Sequence, residues 1–116
     1  MFWARYFCYV FPVVTSWIRP YRGMMIWPFL LVSGKACLAD PVFVNHERIH
    51  AAQQRELLIV FFYIWYLFEY LVHRLRLGHR AAYHRISFER EAYLHENEMA
   101  YLAGRGWFAF AKYLKQ

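Results

Sequence analysis

A chain of 116 residues suits one domain built on a single core and leaves no room for two independent ones, so one active site is the natural expectation. Its 60% hydrophobic and 22% aromatic content exceeds the ordinary soluble range while 19% of residues stay charged, a balance that suits a protein leaning on a membrane or a partner. The net charge of +6 is spread from Arg5 to Lys115 without a run or stripe; this gives nucleic-acid binding no support and suits anionic lipid at least as well.

At the N-terminus Arg5 precedes an apolar run, Tyr6 to Val14. Pro12 interrupts it and no small-residue cleavage site follows, so it reads as retained structure and not as a signal peptide. Residues 1 to 39 are aromatic and β-branched, punctuated by Pro12, Pro20, Gly23, Pro28 and Gly34. Within them Met24 to Val32 reads as an extended segment, and Pro28 makes it an edge or bulged strand. Cys8 and Cys37 lie far apart and outside any C-x-x-C pattern, and Gly34 and Lys35 do not fit a lipoprotein signal before Cys37. Neither a disulfide framework, a cysteine metal site nor lipidation is expected.

Asp40-Pro41 is a helix start, because Asp accepts from free amide groups and Pro fits the first turn. The helical reading runs through His46-Glu47-Arg48-Ile49-His50 and Ala51 to Glu56 into Leu57 to Val72, and Gly78 ends it at the latest. Leu57 to Val72 is apolar all round except for Glu69, the pattern of a helix buried on every side. Its length of about 24 Å falls short of a bilayer crossing. The alternative to a core helix is one lying against lipid or a partner, with Tyr63, Trp65, Tyr66 and Tyr70 at the interface. Together with the apolar N-terminal segment this favours a membrane-associated protein, peripheral or monotopic, with a cytoplasmic location as the alternative.

After a short basic connection, Ser87 is the expected N-cap of a last helix, with Glu89 and Glu91 near its first turn. It is expected to run to about Ala103, where Gly104 and Gly106 stop it before an aromatic tail, Trp107 to Tyr113.

The chemistry concentrates in HERIH. Residues four apart share a helix face, so His46 and His50 can direct imidazole nitrogens at one zinc ion. Glu47, next to the first ligand, can reach a water on that ion without ligating it and act as general base. Catalytic zinc takes three protein ligands, so a third must come from elsewhere; Phe88-Glu89-Arg90-Glu91-Ala92, on a helix able to return alongside the first, supplies the candidates. A di-iron carboxylate site needs a second E-x-x-H. None occurs, since Glu69 to His73 and Glu91 to His95 are each one residue too long.

HERIH followed by Glu89-Arg90-Glu91-Ala92 resembles the gluzincin pattern, shared by thermolysin-type enzymes and by membrane-embedded heat-shock and prenyl-protein peptidases. There HExxH is completed by a Glu opening an E-x-x-A segment on a second helix. The chain also resembles short bacterial proteins with an N-H-E-x-x-H-x-x-Q start and an F-E-x-E-A-Y finish. The resemblance covers residues 45 to 54 and 87 to 93, and implies His46, His50 and Glu89 as zinc ligands with Glu47 as general base.

Two features depart from the pattern or compete within it. Many relatives carry Asp where this chain has Tyr93; Glu96, one turn on, could orient a ligating His instead. Glu91 rivals Glu89, because residues two apart point to nearly opposite sides and only one can face the metal; Ala92, on the face of Glu89, leaves room for close packing. Tyr83, His84 and His95 are the candidates to stabilise an oxyanion, as a His or Tyr does in gluzincins.

The expected architecture is a single α+β domain over residues 1 to 116: a minimal zincin-like core with an N-terminal strand or β-ribbon and two long antiparallel helices. The expected activity is zinc-dependent hydrolysis of a peptide or protein substrate, which could pair with the free strand edge by β-addition. The alternative is a non-catalytic zincin-like structural or interaction module.

Overall fold

The computed structural model describes residues 10–114. Cys8 and the first part of the apolar N-terminal run lie outside the described residues. The rest of that run forms β1 (Phe11–Val14), followed by β2 (Gly23–Ile26) and β3 (Phe29–Val32). β3 is central, parallel to β1 and antiparallel to β2.

Met24 to Val32 is therefore not one strand but a hairpin whose turn is Trp27-Pro28, with Ile26 opposite Phe29. Proline has no N–H to give a ladder, so it fits the turn, and its carbonyl accepts from Phe11 N at 2.8 Å to start the pairing of β1. On β3 the alternation of a pleated strand sends Leu30 and Val32 fully into the core while Phe29 stays exposed. Gly23 leaves room for the ring of Phe43, with which a Cβ there would collide.

Five helices follow: α1 (Pro41–Glu56), α2 (Val60–Arg74), α3 (His79–Arg85), α4 (Ser87–His95) and α5 (Tyr101–Gly104). The fold class is α+β, as expected. Asp40 caps α1 as its sequence predicts, accepting from Val42 N at 3.0 Å and Phe43 N at 3.3 Å. One core cluster joins Leu30 and Val32 of the sheet to Ile49 and Ala52 of α1 and Ala92 of α4, so α1 lies between sheet and α4. A second joins Phe62, Ile86, Phe88 and Phe110, the last from the aromatic tail.

The helices depart from expectation in three ways. The long helix is broken: Leu58 and Ile59 take φ of 57° and 54°, and α2 leaves α1 at 112°. No glycine or proline marks this break, and left-handed backbone at a β-branched residue costs on the order of 1–3 kcal/mol. The bend returns Tyr63 and Tyr66 to the hairpin and to α4, where both hydroxyls are bonded. Secondly, the basic connection contains α3. Thirdly, α4 stops at His95, well short of Ala103, because the side-chain amide of Asn45 gathers the carbonyls of His95, Glu96 and Glu98 at 3.3, 2.9 and 3.0 Å and closes the turn.

α2 also corrects the expectation of burial on every side. Its inward stripe carries buried Phe62 and Glu69 with half-buried Tyr63, Tyr66 and Tyr70, while Phe61, Ile64, Trp65, Phe68, Leu71 and Val72 stand exposed on the other face. Among the described residues no single helix is long and apolar enough to cross a membrane; α1 and α2 reach that length only as a bent pair.

Glu69, the one acid of α2, is buried because it caps α4. Its carboxylate accepts from Ser87 N at 2.9 Å and from Ser87 Oγ at 2.5 Å. Ser87 is thus the first helical residue, with Ile86 at the cap position, and the capping oxygen comes from another helix. Glu69→Ala is expected to lower stability by about 2 kcal/mol, the worth of hydrogen bonds to a charged acceptor at a buried helix end, read as a lower urea midpoint at unchanged slope. An unchanged midpoint would show that the cap contributes nothing.

Candidate metal centre

α1 and α4 run antiparallel, and their contacts follow one another in order. Asn45 holds the C-terminal turn of α4, His46 and His50 meet Glu89, and Gln53 reaches Phe88 O at 3.1 Å and Glu91 Oε1 at 2.9 Å. Asn45 and Gln53 therefore bracket HERIH and fix its height against α4.

Between these brackets His46 Nε2 and His50 Nε2 lie 3.3 and 3.1 Å from Glu89 Oε1, and all three side chains are buried. The three donor atoms lie within 4.8 Å of one another, a group that could hold a metal ion. Each ring is fixed by its other nitrogen: His46 Nδ1 donates to Glu96 Oε1 at 2.8 Å, and His50 Nδ1 meets Gln53 Oε1 at 2.8 Å. Glu96 thus stands where the departure at Tyr93 called for an orienting acid, while the Tyr93 ring packs edge-on against His46, centroids 4.5 Å apart. Tyr66 Oη donates to Glu89 Oε2 at 2.7 Å and leaves Oε1 to the histidines.

Glu91 points the other way. Arg105 Nε donates to its Oε2 at 2.5 Å and Tyr101 Oη at 2.6 Å, so it belongs to a separate buried ion cluster that Glu56 completes through Arg105 Nη1 at 2.7 Å. The divergence of residues two apart on a helix puts Glu89 beside the histidines and Glu91 beside Arg105.

Burial would raise the Glu89 carboxyl, but the facing His50 and His46 hold it far below the usual carboxylate range. Burial likewise disfavours a charged His50, yet the Glu89 carboxylate and the bonds to Glu89 and Gln53 outweigh it and push this imidazole up to about 9. Glu47, buried beside the trio, has its carboxyl raised by desolvation, against the pull of His50 and His46.

Glu47 lines two cavities. One of about 460 Å³ is bounded by His46, Glu96, Arg80, Tyr83, His84 and Tyr93. The other, of about 740 Å³, reaches His50 and Glu89 between Met25, Phe62, Tyr63 and Tyr66. Of the three candidates for oxyanion stabilisation, Tyr83 lines both cavities and His84 the smaller one. His95 lines neither: it bonds Glu98 and Tyr113 and stacks on Tyr101. β2 does border the larger cavity, but the side chain of Gln54 donates to Met25 O and accepts from Trp27 N, both at 2.6 Å, and Tyr63 Oη also donates to Met25 O. Those groups are not free to pair with an added peptide strand.

Sequence reasoning missed Tyr66 and Arg105. Tyr66 lay inside an apolar run read as core or interface, and Arg105 between two glycines carries no local signal. No protein-family model, curated protein or solved structure matches this chain.

A raised histidine adds stability to the metal-free protein that is complete below its ordinary value near 6.5 and is lost as pH rises through about 9. Any metal bound by His50 must first displace that proton. Apparent zinc affinity is therefore expected to rise about tenfold per pH unit from pH 7 to 9 and to level off above, measured by chelator competition. A flat profile would remove His50 from the site.

Proposed function

We propose that this chain is a zinc-dependent peptide-bond hydrolase of the gluzincin kind, with His46, His50 and Glu89 as ligands. The observation that carries the reading is the convergence of two Nε2 atoms and one carboxylate oxygen within 4.8 Å, with Glu47 buried beside them and lining two cavities. Two imidazoles and one carboxylate are a donor set that zinc takes in catalytic sites. When bound there, zinc supplies a polarising charge and an acidified water.

Glu47 is the general base. Its raised carboxyl suits taking a proton from water as the water oxygen attacks the peptide carbonyl, then returning that proton to the amine as the C–N bond breaks. Tyr83 is the oxyanion donor: burial and the charge of Glu89 raise its hydroxyl, which stays protonated and able to donate near neutral pH.

Purified protein reconstituted with zinc is expected to hold about one ion per chain. Glu47→Gln is expected to keep that ion and to lose at least about 100-fold in kcat against a broad peptide library, and Tyr83→Phe to lower kcat more than it changes KM. Zinc-dependent cleavage that survives Glu47→Gln would refute the mechanism. Bound zinc with no cleavage across the library would make the chain a non-catalytic module.

The chain also associates peripherally with an anionic membrane surface, through the outer face of α2. That face carries Phe61, Ile64, Trp65, Phe68, Leu71 and Val72 without a charge, the reverse of a helix whose outside meets water. Arg74, Arg76, Arg80 and Arg85 follow it, all exposed, and residues 70–88 contain no acid. Apolar side chains flanked by arginines match the acyl boundary and headgroups of anionic lipid. The protein is expected to sediment with phosphatidylglycerol-containing vesicles at low salt, and Ile64→Asp with Phe68→Asp to release it without loss of helicity. Protein that stays in the supernatant would remove the membrane from this reading.

A further inference from the structure

A metal-binding imidazole must carry its proton on the nitrogen away from the metal. For His46 the carboxylate of Glu96 settles this, since it can only accept. His50 instead faces Gln53, and a side-chain amide can present either its oxygen or its NH₂ group. Something beyond Gln53 has to decide which way that amide points.

The chain of hydrogen bonds supplies it. A guanidinium only donates, and Arg105, fully buried, directs Nε and Nη2 at the two oxygens of Glu91 at 2.5 and 3.1 Å. Glu91, held as a carboxylate by Arg105 against the effect of burial, only accepts. The Gln53 group facing Glu91 Oε1 at 2.9 Å must therefore be NH₂, and the same group donates to Phe88 O at 3.1 Å. Gln53 Oε1 is left for His50, whose Nδ1 must be the donor.

We infer that Arg105, Glu91 and Gln53 form a relay of positioning residues that keeps a proton of His50 on Nδ1, so that Nε2, on the side of Glu89, is the nitrogen that gives up its proton to a metal. The relay rests on the zinc-site reading for its purpose, though not for its geometry. It runs from the segment between Gly104 and Gly106 to the HERIH helix, and Glu56 holds the far side of Arg105 through Nη1 and Nη2 at 2.7 and 3.1 Å. The C-terminal segment thereby acts on a site that it does not touch.

The test reverses one link and reads both histidines. In Glu91→Gln, the new carbonyl is expected to keep the two short bonds, from Arg105 Nε and Tyr101 Oη, which places an NH₂ opposite Gln53 and the more distant Arg105 Nη2. That amide then turns over, or two donors oppose each other, and His50 Nδ1 loses its acceptor. Zinc affinity is expected to fall roughly 10- to 100-fold, the usual effect of losing a ligand's outer partner. The bond of His46 Nδ1 to Glu96 lies outside the relay and reports whether the site stays folded in this variant.

In metal-free protein at pH 7, the Nδ1 proton of His50 is expected as an exchange-protected ¹H–¹⁵N peak in wild type and to be lost in Glu91→Gln, while the Nδ1 peak of His46 stays in both. Persistence of the His50 peak in Glu91→Gln, its absence from wild type, or loss of the His50 and His46 peaks together would overturn the relay. Wild-type protein that binds no zinc but shows this pattern of peaks would refute the hydrolase reading and leave the relay standing.

Discussion

Everything around the site follows from placing one carboxylate, Glu89, between two buried imidazoles. A buried charge is tolerated only when every polar atom near it finds a partner. Oε1 has His46 and His50, Oε2 has Tyr66, and the far nitrogens of the histidines have Glu96 and Gln53. Each partner comes from a different position along the chain, so satisfying Glu89 fixes the height of α1 against α4, the closing turn of α4 and the course of α2. The strained bend at Leu58 and Ile59 belongs to the same constraint. Without it, the helix that begins at Pro41 would carry Tyr66 away from Glu89.

Much of this site was legible in the sequence, because it is local. HERIH puts two histidines on one helix face through a four-residue spacing, and Asp40-Pro41 starts that helix with cap chemistry that needs no tertiary context. That Glu89 and not Glu91 would meet the histidines was also readable in outline, since the two must diverge and Ala92 favours close approach on one side. The fate of Glu91 was not. Its partner Arg105 is fourteen residues away and is identified only by what the folded chain buries next to it.

The errors were of the same non-local kind. Apolarity all round α2 argued for burial on every side, yet composition cannot say which face a neighbour covers. The break between α1 and α2 has no glycine or proline, and the cap of α4 is supplied by Glu69 instead of Ser87. In both cases a contact between helices overrides the local signal, as tertiary context overrides propensity elsewhere. The hairpin differs in that its signal was present: Pro28 cannot donate to a ladder, and a turn accommodates that as well as a sheet edge does.

The polar interior and the apolar exterior are two sides of one allocation of space. Among the described residues, fifteen apolar side chains are buried alongside eleven polar or charged ones, among them Glu89, Glu91 and Arg105. A domain of this size has a limited interior, and the site, its brackets and the Arg105 cluster occupy a large part of it. With 60% of its residues hydrophobic, the chain must then leave apolar side chains outside. They gather on α2 because its inward stripe is already committed: Tyr63 and Tyr66 to the site and hairpin, Glu69 to the cap of α4. The face presented to lipid in our reading is thus the residue of building a buried polar centre into a domain of this size, and removing that face by surface mutation should leave the centre intact.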